Sequence, residues 1–202
     1  TAQSLPAIEE IAVNDEDYKL AHHPFLHRLQ RESVNPQHIW ILLINLREAV
    51  IHFTRRLASI IARIDDERIR CILAKQLNDE LGNGNINGIH RKLFERLMIA
   101  IEPWRMESFT EEMLRPGKEF SQQMEGIYVE AYPYVGVGAA VVMEIYGKQF
   151  DLWLGNELRK TTVDLSAITW VTLHEELEID HADESLVIAR FNCFLNGLNA
   201  SS

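Results

Sequence analysis

The residues best suited to chemistry lie near the end of the sequence, in the stretch TLHEELEIDHAD at residues 172–183. His174, Glu178 and His181 are four and three residues apart, so on a helix their directions fall within about 60° of one another. Two imidazoles and a carboxylate on one face suit iron, manganese or zinc. The other acids of the stretch are predicted to be solvated or to support the ligands: Glu175, Glu176 and Asp180. The alternative is an acidic surface helix that contains histidine by coincidence.

A second candidate ligand lies inside an apolar segment. Glu144 occupies the middle of AAVVMEIYG, residues 139–147. A buried carboxylate is costly unless it is paired with a cation or bound to a metal. Glu144 therefore predicts either a further metal ligand or, as the alternative, a salt bridge to an arginine.

Two more candidates flank a glycine- and asparagine-rich break. Glu80 ends one predicted helix, and His90 lies ten residues later, near the start of the next. The glycines between them permit turns that would direct both side chains toward one point. An ordinary loop between helices explains the break equally well. Glu48, four residues before His52 on an early helix, is a weaker candidate that is better explained as a surface or supporting residue.

Helices must position these side chains, because apolar residues recur at three- and four-residue spacings along most of the chain. The pattern predicts one long helix over residues 36–64, a second helix from residue 65 to the break, and a third after it. Pro133 predicts a helix boundary or a kink, and Asp164 or Ser166 predicts the cap of a final helical segment. No segment alternates as a strand would. We therefore predict an all-α fold of seven or eight helices in a single domain, residues 1–202.

Composition excludes several classes of function. The net charge of −10 disfavours nucleic acid and anionic membrane surfaces as partners. No signal peptide or segment long enough to span a membrane is evident, which predicts a cytoplasmic protein. The only two cysteines, Cys71 and Cys193, are far apart and form no metal or redox motif, so both are predicted to be buried apolar residues.

Two known metal motifs are also excluded. Position 178 holds Glu, so HEELE lacks the second histidine of the zinc-protease motif His-Glu-x-x-His. A ferritin-like di-iron bundle needs two Glu-x-x-His motifs, and this sequence has one, from Glu178 to His181. A different scaffold of carboxylates and histidines is required.

NDELGNG, His90 followed by RKLF, a glutamate in an apolar helix and HEELEIDH together resemble the haem-oxygenase-like di-metal oxidases and oxygenases. Within that group the sequence looks closest to the CADD-like proteins, whose fold is shared with TenA-type thiaminases and the pyrroloquinoline quinone biosynthesis oxidase. The likeness extends from about HHPFLHRL, residues 22–29, to residue 190.

The resemblance implies a haem-oxygenase-like helical bundle with six metal ligands: Glu80, His90, Glu144, His174, Glu178 and His181. Glu178 stands where the family often has Asp, and Glu48 stands where some members recruit an extra carboxylate. The implied cofactor is two iron ions, with manganese or a mixed iron–manganese pair as alternatives, and O2 as co-substrate. A small organic substrate would bind in the helical core, with three tyrosines as candidate pocket lining or ordinary core aromatics: Tyr128, Tyr132 and Tyr134. A homodimer is a candidate assembly.

Two rival functions use the same fold. A metal-free enzyme would act as a TenA-like hydrolase or a cofactorless oxidase, and the hydrolase would need an activated cysteine, for which neither Cys71 nor Cys193 has obvious neighbours. A non-catalytic interaction protein that keeps the site as a relic would need an exposed apolar patch.

Overall fold

In the computed structural model, structure is described for residues 35–175 and for residue 188. All regular elements in this part of the chain are helical, which confirms the predicted all-α fold. The six α-helices are α1 Pro36–Val50, α2 Phe53–Ile61, α3 Glu67–Glu80, α4 His90–Ala100, α5 Arg115–Glu125 and α6 Pro133–Arg159. A π-helical turn, Gly126–Glu130, joins α5 to α6, and residues 169–175 are again α-helical. The predicted seven or eight helices refer to the whole chain, of which this part holds these six and the 169–175 segment.

The local signals that start these helices are those expected from the sequence. The side chains of Asn35 and Asp66 accept hydrogen bonds from the second backbone N–H of α1 and α3, respectively. Pro133 begins α6, as predicted, where its missing N–H costs nothing. Asp164 accepts a hydrogen bond from the Ser166 N–H at 2.9 Å and caps the short 3₁₀ helix Leu165–Ile168 that leads into the 169–175 segment.

The prediction of one long helix over residues 36–64 is wrong. Helix α1 ends at Val50, and α2 begins at Phe53. Between them, the Ala49 carbonyl accepts hydrogen bonds from the His52 N–H at 3.3 Å and from the Arg56 guanidinium at 3.5 Å. A tighter turn and a buried arginine replace the regular helical bonding at this point.

The described residues form two hydrophobic clusters, and α6 connects them. Its first half contributes Val137 and Val141 to a cluster with α2 and α3, whereas its second half contributes Leu154 and Leu158 to a cluster with α1, α4 and the 169–175 segment. The middle of α6 therefore lies where the two clusters meet. Glu144 is in this middle part, so the helix carries it to the boundary between the clusters.

Cys71 is exposed, so the prediction that it is buried is wrong. Helix α3 buries Ile69 and Leu73, and Cys71 lies two residues from each. Two helical residues correspond to about 200°, which places Cys71 on the opposite, solvent-facing side. Cys193 lies outside the described residues.

Within the described part of the chain, none of the helices combines the length and the apolar character needed to cross a membrane.

Candidate metal centre

The loop between α3 and α4 brings Glu80 and His90 together. Gly82 has a φ of +79°, a conformation that side-chain-bearing residues rarely adopt. A Cβ at this position would also lie only 2.5–2.7 Å from the backbone of three residues farther along the loop: Asn85, Gly88 and Ile89. The chain thus folds tightly back on itself here, and only glycine fits. The last residue of α3 and the first residue of α4 become neighbours as a result.

Glu80 and His90 are close without being hydrogen-bonded. Nδ1 of His90 lies 3.0 Å from Oε1 of Glu80, but among the described residues it has no partner with hydrogen-bond geometry. The His90 ring is only 2% exposed, and the Glu80 side chain is 14% exposed. A carboxylate at the C-terminal end of its own helix is also disfavoured by the helix dipole. Stability alone does not account for this pair.

The third member of the cluster is His174, on the 169–175 segment. Its Nδ1–H donates to the Trp170 carbonyl at 2.7 Å, because a carbonyl can only accept. This bond leaves Nε2 facing Glu80, 3.7 Å from Oε1. The His174 ring also packs on Trp170, with centroids 4.4 Å apart, and on His90, with centroids 4.7 Å apart. A backbone acceptor that fixes the tautomer and orientation of an imidazole is typical of metal-binding histidines.

Glu80, His90 and His174 each offer a ligand atom, and these atoms all lie within 4.8 Å of one another. Two histidines and one carboxylate are the donor set of non-haem Fe(II) oxygenases, which leave other coordination positions open. The buried Nδ1 of His90 supplies the test of fit: it contacts Glu80 at 3.0 Å without hydrogen-bond geometry, and a buried polar atom without a hydrogen bond is costly unless something else binds it. The three residues therefore fit an iron ion by both donor type and burial.

Glu80 and His174 stabilise each other's charged forms. Burial raises the pKa of Glu80, but the two histidines more than offset this effect and hold it well below its usual range. Burial lowers the pKa of His174, but the carboxylates of Glu80 and Asp151 and the Trp170 carbonyl raise it to about 9. Without metal, His174 is thus protonated and Glu80 ionised at neutral pH. Since a metal ligand must be a neutral imidazole, binding of a cation displaces this proton.

Glu80 and His174 lie in the wall of a cavity of about 120 Å³, which we call the site cavity. Glu144 and Asp151 also line it, one helical face of α6 presenting both. The remaining described lining is almost entirely apolar: Leu46, Ala49, Val50, Phe53, Met124, Met143, Gly147, Phe150 and Trp170. Three carboxylates and a histidine thus lie in the wall of an otherwise apolar cavity.

Asp151 is the residue of the site that the sequence analysis missed. It is 3% exposed and lies seven residues after Glu144 on α6. Its charge reaches His174, whose pKa it helps to raise. A signal was available, because Asp151 sits in the apolar run FDLWL, and a carboxylate in such a run is costly to bury. Asp151 was therefore as predictable from the sequence as Glu144.

The other predicted residues lie in different places. Glu48 lines a separate, charged cleft that lies mainly between α2 and α5. Tyr128 is 1% exposed, and its pKa is raised by burial and by the charge of Glu144. Tyr132 is 68% exposed and packs on Tyr134 with ring centroids 5.5 Å apart. None of these four is among the described residues that line the site cavity. Glu178 and His181 lie outside the described residues, and their ligand roles stay predictions.

Comparison with known protein families agrees with the chemistry of this cluster. A family model described as an iron-containing redox enzyme, of the haem-oxygenase type, matches residues 42–192. The matched region includes Glu80, His90, Glu144 and His174. No curated protein matches the chain significantly.

Proposed function

We propose that this chain, which belongs to the haem-oxygenase-like family of iron-containing redox enzymes, is a non-haem iron oxidase or oxygenase that uses O2 on a small organic substrate. One observation carries the proposal. The buried His90, the part-buried His174 and the carboxylate of Glu80 converge within 4.8 Å of one another, and the buried Nδ1 of His90 has no partner with hydrogen-bond geometry among the described residues. This is the arrangement expected of a site that is completed by a cation.

The cluster favours iron without haem. Haem iron is held by one or two axial side chains, above and below the plane of the macrocycle. Glu80, His90 and His174 instead converge on one point. The site cavity beside them, about 120 Å³, is also smaller than the pockets that hold drug-sized ligands, which span roughly 300–1,000 Å³.

A second iron ion is part of the proposal. Glu144 lines the same cavity as Glu80 and His174, and so brings another carboxylate to it from α6. Glu178 and His181 follow His174 in the sequence at the spacing of one helical face. Together these three residues would hold the second ion. Two ions would also offset the negative charge that Glu80, Glu144 and Asp151 bring to the cavity wall.

The protein's own contribution would be to bind the metal, orient its ligands and exclude water. Iron, when bound, supplies the redox chemistry with O2. Glu80 and the two histidines would hold it, and the Trp170 carbonyl keeps the His174 ring in the tautomer that this requires. Phe53 and Phe150 line the chamber with apolar surface that excludes water. The proton that His174 carries in the metal-free state leaves when metal binds.

The walls also point to a class of substrate. Methionine, phenylalanine and aliphatic side chains supply most of the cavity lining, so the part of the substrate that reaches the iron is small and apolar. Such a group has C–H bonds as its reactive positions. Oxidation by O2, rather than hydrolysis, is the reaction that suits it.

The test is O2 consumption by protein loaded with Fe(II) without air. The loaded protein should consume O2 faster than the same concentration of free Fe(II), with a change in visible absorbance. His174→Ala should lose this activity, whereas His38→Ala, which changes an exposed histidine on α1, should keep it. Equal O2 consumption by the His174→Ala variant and the parent protein would contradict the proposal.

The metal-free hydrolase finds less support. It needs a nucleophilic cysteine in the pocket; of the two cysteines, Cys71 is exposed on the side of α3 away from the core, and Cys193 lies outside the described residues. An exposed thiol at that position cannot act as a nucleophile in the site cavity.

A further inference from the structure

We propose that Gly155, Arg159 and Glu175 form a clamp that orients His174 toward Glu80, and that Glu175 is thereby a positioning residue of the metal centre. The inference rests on the proposed function, since it takes His174 as an iron ligand. From the sequence alone, Glu175 is predicted either to be solvated or to support the ligands, and the clamp would be that support. Glu175 also directly follows His174 in the chain.

Arg159 and Glu175 form a two-pronged ion pair between α6 and the 169–175 segment. Nη1 of Arg159 donates to Oε1 of Glu175 at 2.9 Å, and Nη2 donates to Oε2. The side chain of Glu175 is 14% exposed and that of Arg159 is 39% exposed. Two parallel bonds fix the direction of a carboxylate as well as its distance, because the guanidinium fork is planar. The pair therefore constrains how the segment is rotated.

Gly155 makes this geometry possible. It is buried on α6, four residues before Arg159, and so lies on the same face of the helix. A Cβ at position 155 would overlap Oε1 of Glu175 and lie 3.0 Å from Nη1 of Arg159. The carboxylate thus lies directly against the backbone of α6. Any larger residue at position 155 would displace it.

The clamp acts on His174 through the geometry of the helix. Neighbouring residues on a helix point about 100° apart. With Glu175 held on α6, His174 is directed toward Glu80, where its Nε2 lies 3.7 Å from Oε1. Trp170, four residues earlier, is anchored edge-on against Phe94 with ring centroids 4.9 Å apart. A rotation of the segment that released Glu175 would move His174 out of the cluster.

The test uses a substitution that breaks the clamp without weakening the helix. In Gly155→Ala the added methyl displaces the flexible end of Glu175, while alanine favours the helix more than glycine does. Fe(II) affinity, measured without air by competition with a chelator, should fall about tenfold, as it does when supporting partners of a ligand are lost. The melting temperature should stay the same or rise. The matched control is Gly138→Ala, also on α6, where a Cβ would meet nothing within 4 Å and affinity should not change.

A second pair of variants tests the same clamp without changing a glycine. Arg159→Lys keeps the charge but loses the fork, and Glu175→Gln keeps the size but loses the charge. Both should weaken Fe(II) binding and alter the visible spectrum of Co(II)-loaded protein, which reports the ligand geometry. Combining either with Gly155→Ala should cause little further loss, because all three residues form one unit.

The results separate this inference from the proposed function. A parent protein that binds no iron would overturn the proposed function, and the clamp with it. The clamp alone would be overturned if the parent protein binds iron and both Gly155→Ala and Arg159→Lys keep the parent's Fe(II) affinity and Co(II) spectrum. Loss of affinity in Gly138→Ala equal to that in Gly155→Ala would also count against the clamp, since any added methyl on α6 would then suffice.

Discussion

Two buried nitrogen-bearing side chains in this protein, Arg56 and His90, are bonded in opposite ways. Arg56 on α2 is 3% exposed, and each of its nitrogens donates: Nε to Glu125 at 2.9 Å, Nη1 to the Ala49 carbonyl at 3.5 Å, and Nη2 to the Ser121 carbonyl at 2.7 Å. His90 is 2% exposed, yet its Nδ1 has no hydrogen-bond partner among the described residues. The two groups are equally buried and differ in how completely they are bonded.

This difference in hydrogen bonding distinguishes a residue that stabilises the fold from one that is available to bind a ligand. The hydrogen bonds of Arg56 join α2 to α5 and leave the guanidinium little capacity for anything else, so it stabilises the fold. The histidine cluster leaves one ring nitrogen unbonded and a His174–Glu80 contact of 3.7 Å, too long for a hydrogen bond. A cation that binds here would displace the His174 proton and give the His90 Nδ1 a partner, so metal binding should stabilise the folded protein. Substitutions at the two places should therefore affect different properties.

The largest expected effect is loss of iron from the histidine cluster. His174→Ala should weaken Fe(II) binding by more than about a hundredfold, since even supporting residues of metal sites contribute about 10- to 100-fold. The metal-free variant should still fold, with lower stability at neutral pH because the contact between the protonated His174 and Glu80 is lost. Anaerobic competition with a chelator measures the affinity, and thermal unfolding without metal measures the stability. Near-parental affinity would mean that His174 is a core histidine and nothing more.

The opposite result is expected at Arg56. Arg56→Met leaves the Glu125 carboxylate and the Ser121 carbonyl without their donor, and should lower the free energy of unfolding by about 3 kcal/mol. Glu125 is 49% exposed, which keeps the loss below that of a fully buried pair. Urea denaturation gives the stability, and metal analysis should find the iron content unchanged. A variant that lost iron but kept its stability would break the distinction between the two groups.

The pH dependence of stability should also differ between the metal-free and the metal-loaded protein. In the metal-free protein the raised pKa of His174, about 9 against an ordinary 6.5, contributes stability that is complete below pH 6.5 and is lost as pH rises through 9. The lowered pKa of Glu80 contributes stability above pH 4.5 that is lost as pH falls. Unfolding free energy should therefore fall between pH 6.5 and 9 without metal. Zn(II)-loaded protein should not show this fall, and the His174→Ala variant should lack it in either form.

The smallest effect is expected at Asp151. Asp151→Asn removes a charge that helps to raise the pKa of His174, so that pKa should fall while Glu80 still holds it above its ordinary value. Following the His174 ring by NMR titration of the metal-free protein measures the change. Fe(II) affinity should change only a few-fold, because Asp151 is not one of the three clustered donors. An unchanged titration would remove Asp151 from the electrostatics of the site.

The sequence was most informative where local rules decide the structure. Pro133 and Asp164 mark helix starts, and the glycine-rich break does bring Glu80 beside His90. It was least informative where a distant residue decides. The interruption between α1 and α2 coincides with the burial of Arg56, which bonds to residues 65 and 69 positions away. Asp151 could have been found from its place in the apolar run FDLWL, but that run does not show that it shares a cavity with His174, which comes from a separate segment.

The central claim is that Glu80, His90 and His174 hold iron, and the most direct measurement is the amount of iron bound per chain. The parent protein and a His90→Ala/His174→Ala double variant should each be loaded with Fe(II) in the absence of air, desalted and analysed for metal. We expect nearly two irons per chain in the parent and at least one fewer in the double variant, with both proteins folded. A parent protein that retains no iron, or a double variant that retains as much as the parent, would contradict it.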